Sequence, residues 1–163
     1  MAKHEKPSFV YVIHIAATPD SVWQALTEGA LTRQYWYGRR ADSDWKVGSP
    51  VTFWYETGSG EAVSDRGIML ESKRPRHLSY TWQVQFIEEM RDENPSRVTF
   101  DIELEGEDTK LTLTHNELEA GGKVLEAVRN GWPAILSSLK SLLETGEPLA
   151  LTKVDQVAAD AAA

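Results

Sequence analysis

Residues Gly121–Gly146, GGKVLEAVRNGWPAILSSLKSLLETG, decide the architecture of this chain. Apolar side chains recur at Leu125, Val128, Trp132, Ile135, Leu136, Leu139, Leu142 and Leu143. Spacings of three and four put them on one stripe of an α-helix. Gly146 followed by Pro148 closes the pattern in the order that helix C-termini favour. Pro133 sits inside it, where it removes one backbone bond and crowds the carbonyl of Arg129, which predicts a kink or local break. One long amphipathic helix results, and its apolar stripe needs a surface to bury it.

That surface is written upstream in a period of two. Phe9, Tyr11, Ile13 and Ile15 alternate along a first strand. Thr18-Pro19-Asp20 then starts a short helix: a capping hydroxyl, proline at the first helical position and an acid at the positive end of the dipole. A second short helix is predicted over Leu31–Trp36, ended by Gly38. From Arg39 to His115 turn residues cut the chain into the runs Val51–Glu56, Val63–Lys73, Leu78–Phe86, Arg97–Glu105 and Lys110–His115. Val51/Phe53/Tyr55, Leu78/Tyr80/Trp82, Val98/Phe100/Ile102/Leu104 and Leu111/Leu113/His115 alternate with polar neighbours, which predicts an antiparallel sheet with one solvated face. The fold class is therefore α+β: a curved antiparallel sheet around a long C-terminal helix, with two short helices between strands 1 and 2. Residues 1–7 read as a tail, 8–146 as the domain and 147–163 as a second tail that frays.

Composition excludes several functions. The chain has 163 residues, a net charge of -8 and no cysteine. Disulfides, thiolate metal sites and cysteine nucleophiles are thereby excluded, and no basic cluster offsets the charge for nucleic acid. No apolar run is long enough to span a membrane and the N-terminus lacks a signal-peptide core, so a cytoplasmic location is expected. No histidine pair has the spacing of a helical metal site, and neither a metal nor a cofactor is expected.

The segments Ile15–Leu26, Gly67–Glu71 with Pro75, Leu78–Trp82, Leu111–His115 and Gly131–Leu136 resemble the START-like superfamily of polyketide cyclases and the birch pollen allergen. Within it the sequence is most similar to the family named after the activator of the heat-shock protein 90 ATPase. The likeness spans roughly residues 8 to 145. It implies a helix-grip domain with a cavity beneath the long helix, and shared fold alone does not fix function.

The candidate ligand-binding residues are Tyr35, Trp36, Phe53, Tyr55, Met69, Tyr80, Trp82, Phe100, His115 and Trp132, which fall on the inward face or near the helix mouth. Such rings either line a pocket or fill a solid core. His115 is the one candidate for catalysis, as a proton donor or an orienting group; the competing reading is a buried histidine satisfied by its neighbours. Asp101, Glu103 and Glu105 read as a solvated face, and Arg66 and Glu71 reach the cavity only if a bulge shifts their register. No nucleophile motif is present, so the expected function is binding of a small hydrophobic molecule such as a lipid, polyketide or aromatic metabolite. A cyclase or dehydratase using His115 and a tyrosine, and a chaperone-accessory role, are the alternatives; a monomer or homodimer fits any of them.

Overall fold

A computed structural model describes residues 6–153. Strand β1 (Phe9–Ile15) leads into α1 (Pro19–Thr27) and α2 (Gly29–Tyr35). Strands β2 (Arg40–Asp42), β3 (Pro50–Thr57), β4 (Gly60–Lys73) and β5 (His77–Val84) follow. After the single-turn helix α3 (Glu88–Arg91) come β6 (Ser96–Glu105), β7 (Asp108–Asn116) and the long helix α4 (Lys123–Thr145). The seven strands form one sheet in the order β1-β7-β6-β5-β4-β3-β2, and every ladder is antiparallel. Strands β2 to β7 are thus a meander that returns to β1, while α1 and α2 carry the chain from one edge of the sheet to the other. The class is α+β, with the curved open sheet and terminal helix of a helix-grip fold.

Local chemistry explains these elements. The Thr18 hydroxyl caps α1 by accepting from the Ser21 amide at 3.1 Å, and Pro19 occupies the first turn. On β5, β6 and β7 the inward rows Leu78/Tyr80, Val98/Phe100/Ile102 and Leu111/Leu113/His115 are buried. Helix α4 covers them with Val124, Leu125, Val128, Trp132, Ile135, Leu136, Leu139 and Leu142. The outer face carries charge, with His77 Nδ1 2.7 Å from Asp101 and His14 Nε2 2.8 Å from Glu105. His77 is the first residue of β5. Arg66 is exposed and Glu71 faces outward to Arg97 and His77, so neither reaches the interior.

Two sequence expectations change. Helix α4 runs without a break through Pro133. The carbonyl that Pro133 leaves unbonded belongs to exposed Arg129, where solvent can reach it, while the packed stripe holds both flanking turns. The expected second tail also has structure as far as it is described: Ala150–Thr152 form a 3₁₀ turn against α4. Ser138, a hydroxyl in the buried row of α4, receives hydrogen bonds from Leu149 N at 2.9 Å and Thr152 Oγ1 at 2.6 Å, and so draws this segment back. Residues 154–163, and 1–5 of the expected N-terminal tail, lie outside the described residues. Among the described residues no helix is long and apolar enough to cross a membrane.

Curvature is concentrated in β4, whose register shifts between Phe53 and Trp54 on the β3 side and between Met69 and Glu71 on the β5 side. Bulges bend a strand and increase its twist. Gly67 lies between them, and a Cβ there would stand 1.7 Å from the Thr81 carbonyl oxygen. Only glycine allows so close an approach of two backbones. Gly67→Ala is therefore expected to destabilise the fold by about 3 kcal/mol or more, read as a lower urea midpoint at unchanged slope.

Candidate functional site

The C-terminal half of α4 is tied to the end of β1. Glu144 Oε2 accepts from the Ala16 amide at 2.7 Å, and Lys140 Nζ donates to the His14 carbonyl at 2.6 Å. The N-terminal half diverges from the sheet and leaves a cavity of about 160 Å³. Val124, Ala127, Val128, Gly131, Trp132 and Ile135 of α4 form one wall. Trp82 and Val84 of β5 and His115 of β7 form the floor, and Trp36 stands at the end of α2. Phe86, Ile87 and Met90, in and before α3, complete the rim.

A chain of hydrogen bonds crosses the floor. Trp132 Nε1–H donates to His115 Nδ1 at 3.0 Å. An indole can only donate, so Nδ1 must accept and the imidazole proton resides on Nε2. Nε2–H donates to Ser96 Oγ at 2.6 Å, and the Ser96 hydroxyl donates to the Trp82 carbonyl at 3.3 Å. His115 is 0% exposed, and burial pushes its pKa down to about 3. It is a neutral ring with both nitrogens engaged, which leaves none free to take or give a substrate proton. Among the described residues no group of three His, Asp or Glu side chains stands ready for a metal.

The sequence-derived candidates divide in two. Trp36, Trp82, His115 and Trp132 meet at the cavity. The Trp36 and Trp82 rings stack 5.9 Å apart, and Trp132 stands edge-on to Trp36 at 5.2 Å. Tyr35, Phe53, Met69, Tyr80 and Phe100 are buried in the core behind them rather than in the lining. The Tyr35 hydroxyl, for example, donates to the Ala25 carbonyl at 2.7 Å. Tyr55 is also outside the lining and packs edge-on against Phe86 at 5.9 Å. Alternation gives the face of a residue, but only the divergence of α4 decides which part of that face is hollow.

The polar residues of the site were not legible in the sequence. Asp65 lines the cavity at 2% exposure. Its Oδ2 has no hydrogen-bond partner, although Arg39 Nε lies 3.4 Å away in an ion pair too poorly aligned to be one. Burial raises the Asp65 pKa to about 6, with Arg39 partly offsetting the rise. The Arg39 guanidinium also lies over the Phe86 ring at 4.7 Å. Tyr37 (φ 49°) and Gly38 (φ 75°) precede it in left-handed backbone, which turns the chain so that Arg39 reaches the site. The available signal for Asp65 was parity: counting back from buried Met69 through Gly67 puts it on the inward face. A carboxylate in a strand reads as solvated, and that reading hid it.

These two groups act on stability in opposite directions. His115, protonated near pH 6.5 when unfolded but only near 3 when folded, contributes stability that is complete above pH 6.5 and lost as pH falls towards 3. Asp65 takes up its proton near pH 6 when folded but near 3.8 when unfolded, so its contribution rises as pH falls across that interval. Urea titrations of the wild type and His115→Gln are expected to converge on acidification, their stability difference narrowing by on the order of 5 kcal/mol between pH 7 and 3. Asp65→Asn should steepen the acid loss between pH 6 and 4. A pH-independent difference between wild type and His115→Gln would contradict the buried neutral imidazole.

Comparison with known proteins agrees with this architecture. Among solved structures, an HSP90 activator from Plasmodium falciparum is 27% identical, with a TM-score of 0.66 over 83% of this chain and 95% of its own. CalU16 from Micromonospora echinospora is 21% identical, with a TM-score of 0.66 over 86% of this chain and 78% of its own. The Aha1 dimer from Colwellia psychrerythraea is 19% identical, with a TM-score of 0.67 over 86% of this chain and 98% of its own. The last two likenesses are of fold alone. No curated protein matches the chain. Residues 16–144 match the model of the family described as activator of Hsp90 ATPase homolog 1-like protein, and the chain belongs to that family.

Proposed function

We propose that this protein binds a small hydrophobic molecule in the cavity between α4 and the sheet. The observation that carries the proposal is a hollow of about 160 Å³ walled by Trp36, Trp82 and Trp132, beside a buried aromatic core. An apolar cavity of roughly 150 Å³ is large enough to hold benzene, so the hollow fits a single ring, with room beyond the rim for a longer substituent. The satisfied, neutral His115 favours binding over acid/base turnover.

Gly131 offers a direct test, because a Cβ there would meet nothing within 4 Å. Gly131→Leu fills the hollow and removes a glycine from mid-helix, so it is expected to fold at least as stably as the wild type. Single-ring aromatics at about 100 times their dissociation constant should stabilise the wild type by about 2.7 kcal/mol, a thermal shift of roughly 5 to 10 °C, and should quench its tryptophan fluorescence. Gly131→Leu should show neither effect. Retention of both effects in that variant would place the binding elsewhere.

The 27% identity to the Plasmodium falciparum HSP90 activator favours a second reading, contact with the chaperone. Chaperone ATPase rate measured with and without this protein separates the two: ligand binding alone leaves the rate unchanged, and stimulation supports the chaperone reading.

A further inference from the structure

The cavity is apolar except at one place, and there the polar atoms are incompletely paired. Asp65 Oδ2 is buried without a hydrogen-bond partner, an arrangement that ordinarily costs free energy and that native interiors avoid. Arg39 Nε stands 3.4 Å from it without completing a hydrogen bond to Oδ2. Of the other polar side chains in the lining, His115 is occupied by Trp132 and Ser96, which leaves Tyr37. A molecule entering the hollow therefore meets one open acceptor and one open donor side by side, with opposite charges that cancel.

From this we infer that Asp65 and Arg39 select a neutral ligand carrying a hydroxyl on its ring, a phenol-sized hydroxyarene, over hydrocarbons and carboxylates of the same size. The inference rests on the cavity being the ligand site. A hydroxyl oxygen about 2.9 Å from both atoms closes a triangle on their 3.4 Å separation, accepting from the guanidinium while its hydrogen goes to Oδ2. A hydrocarbon leaves both groups unpaired, the condition under which binding sites reject analogues most strongly. A carboxylate gains Arg39 but has no proton for Oδ2 and brings like charge against Asp65. The three tryptophan faces supply the contact area for the ring.

The experiment compares p-cresol, toluene and p-toluate on the full chain by tryptophan fluorescence titration at pH 7.5. In the wild type p-cresol should bind at least about tenfold tighter than toluene, a modest return for hydrogen bonds to charged partners, with p-toluate weaker than p-cresol. Asp65→Leu combined with Arg39→Leu removes both charges together, a replacement that buried pairs generally tolerate; there the preference for p-cresol over toluene should fall to about threefold or less. Equal binding of toluene and p-cresol by the wild type, abolished in Gly131→Leu, would overturn the selection while leaving the cavity as the site. Tighter binding of p-toluate would overturn it in favour of an anion site at Arg39. Absence of binding by all three would overturn both the selection and the reading beneath it.

Discussion

The arrangement depends on how α4 is held to the sheet. Its C-terminal half is bonded through Glu144 and Lys140 to the backbone at the end of β1, and its middle through the Trp132 indole to His115. Among the described residues no hydrogen bond joins the first two turns to the sheet; the Val124 amide donates instead to Glu93 Oε2, in the loop after α3, at 3.3 Å. Side chains from α3 and the loop before it lean against those turns instead, with Met90 and Ile87 on the cavity rim. The helix is thus bonded to the sheet at one end and in the middle and to the loop after α3 at the other, and the hollow is the wedge between its N-terminal half and the sheet.

The Trp132 bond has a second effect. Because the indole donates, it imposes the tautomer of His115 and commits the imidazole proton to Ser96. Charging this ring would break the Trp132 bond as well as desolvate a cation, which explains in geometric terms why the histidine is held neutral. A residue that reads in the sequence as a candidate proton donor is, in the fold, the keystone of a structural network.

Much of the fold was legible because it follows from periodicity. The stripe of α4, the alternation of β1, β6 and β7 and the cap at Thr18 are local patterns, and local patterns survive folding. The site was legible only in part because it is made where patterns break. Asp65 faces inward beside the bulge at Phe53 and Trp54, and Arg39 is delivered by left-handed backbone at Tyr37 and Gly38. The rim was read as a continuation of β5 to Phe86. The strand ends at Val84, where the Gln85 and Phe86 amides both turn to the Ser64 carbonyl, at 2.8 and 3.1 Å. Ser64 is the extra residue of that same bulge, and its carbonyl holds the turn that carries the chain towards α3.

An unfilled hollow is not a neutral feature. The same wall carries Gly131 in the middle of a helix, where it costs about 1 kcal/mol relative to alanine, and the exposed Ala127 at the rim. Both are small where the surrounding positions of α4 are valine, tryptophan and isoleucine. The buried Asp65 adds a carboxylate that burial makes harder to ionise. Gly131 and Asp65 lower stability at the cavity, while the rings of Phe53, Tyr80 and Phe100 behind it pack against one another. A mid-helix glycine and a buried carboxylate meeting at one concave place favour a pocket kept for a ligand.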